Sequence, residues 1–179
     1  EPTASFWDAG EYISTSSKLE VGHPPGAPLY QMMGAFFSTF AFDDASSVAL
    51  MVNLMSVFAS AFTILFMFWS LTLIILKISG RRSEISSSKK IAVLGSAFVG
   101  SLSFAFTDSF WFNAGEAEVY AMATCLMSIL FYLALLWERD MFKPRGNRWA
   151  ILISFVIGLS FGVHFMGLLT IPAIGFLYF

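Results

Sequence analysis

The chain alternates long apolar stretches with short polar turns. Five such stretches occupy positions 48–76, 91–107, 117–137, 149–165 and 167–179. A helix needs about twenty mainly apolar residues to cross a bilayer, and the first stretch exceeds that length without one charged residue. The pattern predicts an all-α, polytopic transmembrane helical bundle with about five crossings.

Composition supports a membrane protein and excludes other classes. The residues are 57% hydrophobic and only 12% charged, whereas a soluble domain carries about a quarter charged residues. We therefore expect a multi-pass protein whose main surroundings are the lipid bilayer. The formal net charge of −2 argues against nucleic acid as a partner, and the single Cys125 has no partner for an internal disulfide.

Both ends of the chain resemble interior positions of a longer sequence. The chain starts at Glu1 rather than at a methionine, and its final apolar stretch stops at Phe179. We expect an N-terminal fragment of a longer protein, one that lacks its first helix and truncates its last.

Two short loops between the predicted helices are basic, and they orient the chain. Loop 77–90 carries five Lys or Arg residues and loop 138–148 carries four. Short loops rich in cationic residues lie on the cytoplasmic side, and two predicted crossings between these loops agree with that placement. Residues 1–47, the turn 108–116 and a predicted break at 162–164 then meet on the extracytoplasmic face.

Residues 25–42 are apolar enough to suggest a further crossing. Counting them as one would move loop 77–90 to the outside, so we predict a helix lying on the outer leaflet instead. Residues 1–179 then form a single transmembrane domain. Within it, 1–47 is the first extracytoplasmic loop with its interfacial helix, and 48–179 holds the crossings.

The first outer segment contains a pair of acids. In a helix, Asp8 and Glu11 lie three residues apart on one face. Two carboxylates held together near aromatic side chains tend to have separated pKa values, which gives a base and a supporting acid. The structural alternative is a capping box, in which Ser5 and Asp8 only begin the helix.

A rigid turn follows at residues 22–28, which contain three prolines and two glycines. Proline fixes the backbone and excludes helix there, so His23 lies in a rigid turn from which its side chain could donate a hydrogen bond to a phosphate. The alternative is a connector in which His23 is simply solvated.

The outer turn contains two further acids, Glu116 and Glu118. A capping box with Asn113 would account for Glu116. Glu118 enters a predicted crossing, where an acid is costly and usually functional. Two residues apart on a helix, the two side chains would point in nearly opposite directions.

His164 and the scattered outer acids complete the candidate chemistry. His164 lies in an apolar run, where a hydrogen-bonded core histidine and a site residue are both reasonable interpretations. No residues follow a zinc-ligand spacing. Outer carboxylates could hold a hard divalent cation, but the sequence predicts no cofactor.

Four segments, in order, resemble one family of membrane proteins. They are residues 5–11 (SFWDAGE), 21–28 (VGHPPGAP), 116–121 (EAEVYA) and 162–164 (GVH). Along its length the chain resembles bacterial protein O-mannosyltransferase-like membrane proteins. These are related to a vertebrate transmembrane O-mannosyltransferase and belong to the GT-C glycosyltransferase superfamily.

The resemblance implies a GT-C fold and a reaction. A sugar, mannose in this family, would pass from a polyprenyl-phosphate donor to a Ser or Thr hydroxyl of an extracytoplasmic acceptor protein. The protein would lie in a bacterial inner membrane with its active site facing the periplasm or the exterior.

The resemblance also implies roles for particular residues. Asp8 and Glu11 match the family's acidic motif and would be catalytic, with Asp8 as the base and Glu11 orienting it. The classical protein O-mannosyltransferases have adjacent acids followed by a His-Pro-Pro element, whereas Ala9 and Gly10 separate the acids here, so the identity of the base stays open. The residues expected to bind the donor phosphate or the substrate are His23, Lys18, Glu116, Glu118 and His164.

A transporter or flippase of a lipid-linked or polar substrate is the alternative function, because acids within the membrane and helices broken at glycine also occur in transporters. A transporter places its ionisable groups near the midplane of the membrane. Nearly all those of this chain lie at the outer boundary, which favours surface chemistry.

Overall fold

The computed structural model describes residues 3–5, 7–79 and 86–178. This part of the chain is helical and contains no strand, which confirms the predicted all-α class. The α-helices are α1 Ala9–Lys18, α2 Pro28–Ser38, α3 Val48–Ile78, α4 Ser87–Ala105, α5 Asp108–Ala114, α6 Val119–Asp140, α7 Asn147–Phe161 and α8 Thr170–Tyr178. Short 3₁₀ turns lie at Thr39–Ala41, Ala45–Ser47 and Phe165–Leu169.

Within the described residues, α3 and α6 are each long and apolar enough to cross a membrane. The pair α4 and α5 is long enough as a unit, but it bends by 72° at the break between the two helices. Helix α7 and the segment 165–177 are apolar but shorter. An all-α membrane bundle is thus confirmed, while the number of about five crossings stays a prediction.

Helices α3 and α6 pack through small side chains. Ala59 of α3 contacts Ala121 and Cys125 of α6 in a buried cluster. Small residues let helices approach closely in lipid, where no hydrophobic force drives them together. The same face of α3 continues with buried Ser56 and Thr63, so this helix pair forms the centre of the bundle.

Helices α1 and α2 form a hairpin ahead of the long helices. The Ser16 hydroxyl donates to Gln31 Oε1 over 2.7 Å, and Gln31 Nε2 donates to Thr15 Oγ1 over 2.7 Å. Gly34 lies directly against Ser16, where a Cβ would overlap its side chain. These buried contacts fix α1 on α2, which presents the first residues of α1 to the rest of the site.

Helix α2 lies where an interfacial helix was predicted, although it is shorter than residues 25–42. Its exposed face carries Met32, Phe36 and, just beyond its end, Phe40. An apolar face of this kind suits contact with the acyl boundary of a lipid leaflet. The placement of α2 on the outer leaflet stays a prediction.

The C-terminal end of α7 is hydrogen-bonded to the N-terminal end of α2. The Gly162 carbonyl accepts the backbone N–H of Leu29 over 2.8 Å and that of Tyr30 over 3.3 Å. Because the first N–H groups of a helix have no partner within it, this contact satisfies two donors of α2. A Cβ at Gly162 would lie 2.8 Å from Leu29 Cβ, so only glycine fits here.

We expect Gly162→Ala to lower the free energy of unfolding by about 1–3 kcal/mol, because the added methyl group forces α2 away from α7. Thermal unfolding of the full-length protein in detergent measures the effect. Gly158→Ala, one turn earlier and within α7, is the matched control, since a Cβ there meets no atom within 4 Å and alanine favours helix. Equal unfolding temperatures for the two variants would contradict the prediction.

Candidate functional site

The site begins at the first turn of α1. Asp8 occupies the N-cap position, yet its side chain makes no capping hydrogen bond. The Ser5 hydroxyl is buried and has no hydrogen-bond partner among the described residues. The capping box is therefore not formed, and the Asp8 carboxylate is left available for another role.

Glu11 connects α1 to the rigid turn that contains His23. Its Oε1 accepts the His23 backbone N–H over 2.7 Å, and its Oε2 lies 3.0 Å from His23 Nδ1. A Cβ at Gly22 would lie 3.3 Å from Glu11 Oε1, so glycine leaves room for this carboxylate. The turn itself closes through the Gly26 N–H, which donates to the His23 carbonyl over 2.8 Å.

Asp8 approaches the other side of the same imidazole. Its Oδ2 lies 3.7 Å from His23 Nε2, so the ring stands between two carboxylates. All three side chains are about half exposed, which keeps the group open to a substrate from the solvent. The structure thus brings together Asp8, Glu11 and His23, as the candidate site requires.

The same three residues could hold a divalent cation. One ligand atom from each of Asp8, Glu11 and His23 lies within 4.8 Å of the others. When no ion is bound, the Glu11 carboxylate already has the His23 ring as its partner. Among the described residues, these form the one group of three His, Cys, Asp or Glu side chains that meets this spacing.

Electrostatics tie Glu11 and His23 into an ion pair. The hydrogen bond from the His23 backbone, followed by that from its ring, lowers the pKa of Glu11. The hydrogen bond to Glu11 raises the pKa of His23. Both shifts favour the charged forms of Glu11 and His23, so the two side chains stabilise each other as an ion pair.

Glu116 and Glu118 lie before α6 rather than within it, which differs from the arrangement on a helix that the sequence suggested. Both are buried, with 6% and 7% of their surface exposed. Asn113 does not cap α6, because its side chain donates to the Ser109 carbonyl within α5 over 2.7 Å. The premise that both acids lie on a helix is therefore wrong.

Glu118 belongs to the group around Asp8. Burial, followed by the nearby charges of Asp8 and Glu116, raises the pKa of Glu118 to about 7. The Asp8 backbone N–H donates to the Glu118 carboxylate and partly offsets that shift. A buried carboxyl that is half protonated near neutral pH therefore lies directly behind the candidate base.

Tyr12 is a site residue that the sequence reasoning missed. Its ring lies 6.0 Å from the His23 ring and 5.1 Å from the Tyr30 ring, between centroids. Burial, followed by the charges of Glu118 and Asp8, raises its pKa to about 12, so the phenol stays neutral and can donate. The available signal was its spacing, since Tyr12 follows Asp8 by one helical turn.

Lys18 lies away from this group, and His164 makes a local structural contact. Lys18 ends α1, ten residues after Asp8, which corresponds to about 15 Å along the helix. His164 Nδ1 accepts the Met166 N–H over 3.2 Å, and its ring lies 5.5 Å from that of Tyr120. Substrate-binding roles for Lys18 and His164 stay predictions.

Comparison with known proteins identifies the family of the chain. Residues 8–179 match the family described as Protein O-mannosyl-transferase TMEM260 N-terminal domain. The chain belongs to this family. The match starts at Asp8 and includes Glu11, His23 and Glu118, so the TMEM260 N-terminal domain contains the whole group of side chains described above.

Two relatives of this TMEM260-type chain carry the same name. The protein O-mannosyl-transferase tmem260 of Dictyostelium discoideum is 26% identical over 182 residues, covering 96% of this chain and 20% of the relative. Protein O-mannosyl-transferase TMEM260 of Mus musculus is 26% identical over 154 residues, covering 86% of this chain and 19% of the relative. The chain spans about a fifth of the length of these relatives. No solved structure matches it.

Proposed function

We propose that the full protein transfers mannose from a polyprenyl-phosphate donor to Ser or Thr hydroxyls of proteins. The observation that carries the proposal is the meeting of Asp8, Glu11 and His23, with Glu118 behind them, in a chain of the TMEM260 family. The acceptor type and the sugar follow the printed names of the relatives. The lipid-linked donor follows the family resemblance.

The proposed reaction is a single displacement. The acceptor hydroxyl attacks the anomeric carbon as Asp8 takes its proton, because an alcohol is a poor nucleophile without a base. The bond from the sugar to the acceptor oxygen forms while the bond to the phosphate oxygen breaks. The polyprenyl phosphate leaves with the bonding electrons, and the anomeric configuration inverts.

Each neighbouring group has a part in this reaction. Glu11 holds His23 in place, and the positive imidazole stabilises the negative charge that develops on the phosphate. Protonated Glu118 and neutral Tyr12 can donate hydrogen bonds to sugar hydroxyls. The chain's own side chains supply the base and the cation, so we propose that no metal cofactor is required.

The location of the charges supports a reaction at the membrane surface. Asp8 and Glu11 lie ahead of the first long helix, and Glu118 precedes α6 rather than lying inside it. We propose that these groups face the outside of the membrane, which would be the periplasm or exterior in a bacterial inner membrane. A transporter would need comparable groups near the middle of α3 or α6.

The test is sugar transfer by the full-length protein in proteoliposomes. We would supply polyprenyl-phosphate mannose and a Ser/Thr-containing acceptor protein, then identify hexose on hydroxyls by mass spectrometry. We expect transfer from the lipid-linked donor, none from nucleotide-linked mannose, and the same rate in the presence of a chelator. Failure of protein labelling with a folded enzyme would overturn the function. Loss of transfer in chelator would instead assign a cation to Asp8, Glu11 and His23.

Glu118 makes the activity depend on pH. Because its pKa is raised to about 7, it is neutral below that pH and negative above it. The added charge would repel the donor phosphate, so the apparent KM for the donor should rise as pH increases through about 7. Glu118→Gln cannot ionise and should lose this dependence, whereas the exposed control Glu20→Gln should keep it. A KM that stays flat across neutral pH in the wild type would contradict this role.

The same shift predicts how stability changes with pH. The unfolded chain releases the Glu118 proton near the ordinary value of 4.5, whereas the folded chain holds it to about 7. Folding therefore binds a proton between these values, and the contribution of Glu118 to stability falls as pH rises through this window. The measurement is the unfolding temperature of the wild type and of Glu118→Gln between pH 4.5 and about 7. The wild type should lose stability relative to the variant as pH rises.

A further inference from the structure

The turn between α6 and α7 forms a second polar site, remote from the group around Asp8. It follows the C-terminal end of α6, whereas Glu118 precedes the N-terminal end. A helix of 22 residues separates the two by about 33 Å at 1.5 Å per residue. This turn borders a cavity of about 360 Å³, whose lining includes Lys143, Arg145, Arg148, Trp149 and Leu152.

Asp140 fixes the geometry of this turn. Its carboxylate accepts hydrogen bonds from Arg139 and Lys143, both over 2.7 Å, and from the Trp149 indole N–H over 3.2 Å. Gly146 packs against the Asp140 carbonyl so closely that a Cβ would overlap it. The backbone of the turn is therefore held firmly, and the charge of Asp140 is already neutralised.

Two arginines of the turn are left without an acid. Arg145 and Arg148 are exposed, and neither forms an ion pair with a residue in the part of the chain that the structure describes. Helix α7 begins here and has no acid in its first turn, so the positive end of its dipole adds to the potential. The cavity is consequently a cationic pocket on a rigid frame.

Apolar groups stand beside these charges. Trp149 and Leu152 line the cavity, and Phe142 is 96% exposed on the same turn. Tryptophan with its indole hydrogen-bonded and its ring against apolar groups is typical of the membrane interface. Positive charge joined to an apolar wall suits an amphiphile better than a free anion.

We propose that this turn binds the headgroup of an anionic phospholipid. Arg145 and Arg148 would hold the phosphate, since a guanidinium pairs with phosphate through two parallel hydrogen bonds. Phe142 and Leu152 would contact the start of the acyl chains. A soluble phosphate would use only the arginines and would gain nothing from the apolar wall.

The experiment counts lipids retained by the full-length protein. The protein is extracted from vesicles of equal parts phosphatidylcholine and phosphatidylglycerol, and the retained lipid is identified by native mass spectrometry. We expect the wild type to retain phosphatidylglycerol preferentially. The double variant Arg145→Gln/Arg148→Gln should lower that retention about thirtyfold, which corresponds to about 1 kcal/mol for each arginine.

A matched control removes the same charge elsewhere. Lys89→Gln/Lys90→Gln neutralises two exposed cations at the start of α4, where Lys89 already donates to the Ser79 carbonyl, and should lower retention several-fold less than the arginine variant. Equal losses in the two double variants would overturn the site, since they would show a general effect of charge. If the arginine variant fails to fold, the lipid selectivity of the wild type by itself tests the proposal. Retention that is indifferent to lipid charge or to added salt would overturn the proposal.

Discussion

Asp8→Asn in the full-length protein should lower sugar transfer by about 10²- to 10⁴-fold, the range that a general base contributes. Asparagine has nearly the same shape as aspartate but cannot accept the proton of the acceptor hydroxyl. Because the Asp8 side chain makes no capping hydrogen bond, the substitution removes little that holds α1 in place. The rate constant for transfer should therefore fall while the unfolding temperature stays close to that of the wild type.

Asp43→Asn is the matched control for this experiment. Asp43 is an exposed acid that follows α2, so the substitution removes one negative charge from the same loop without touching His23. Transfer is measured with the lipid-linked donor, and folding is followed by thermal unfolding. Activity of Asp8→Asn within about twofold of the wild type would exclude Asp8 as the base and direct attention to Glu118.

The long helices were predictable because their signal is local. The apolar runs at 48–76 and 117–137 coincide with α3 and α6 to within a few residues, which is the usual uncertainty of helix ends. The apolar run at 91–107 and the turn at 108–116 placed the break between α4 and α5 correctly. The sequence did not show that most of this turn is itself a helix, α5, bent by 72° from α4.

The site was predictable in part. The spacing of Asp8 and Glu11 predicted paired acids, and the rigid proline turn and the family resemblance both pointed to His23. Their actual contact depends on the hairpin of α1 and α2, because the Ser16–Gln31 hydrogen bond holds Glu11 against the turn. Contacts between residues far apart in sequence leave no periodic pattern that could be read in advance.

The interpretation of Glu116 and Glu118 failed for a physical reason. It assumed that the helix includes both acids, whereas α6 begins at Val119 and the preceding residue is extended, with φ −122° and ψ 150°. Because α6 begins after both acids, the helical spacing that would separate their side chains does not apply. Ala117 and Val119, which flank Glu118, lie in one buried cluster with residues of α1 and α2, a contact that the pattern of polar positions does not reveal.

Glu11→Gln is the substitution with the second largest expected effect. Glu11 makes hydrogen bonds of 2.7 Å and 3.0 Å to the backbone and ring of His23, so it positions the imidazole without touching the reacting atoms. Glutamine is neutral and would weaken both contacts, because hydrogen bonds to a charged acceptor are stronger than those to a neutral one. Since the site is open to solvent, we expect transfer to fall about tenfold to a hundredfold.

A pH profile distinguishes this positioning role from a merely structural one. The hydrogen bond to Glu11 raises the pKa of His23, so in the wild type the imidazolium persists to higher pH than an ordinary histidine. The basic limb of the transfer rate should therefore move to lower pH in Glu11→Gln. Glu20→Gln, an exposed acid just after α1, should leave both rate and profile unchanged. A lower rate with an unmoved basic limb would mean that Glu11 acts on the fold of the turn and not on the charge of His23.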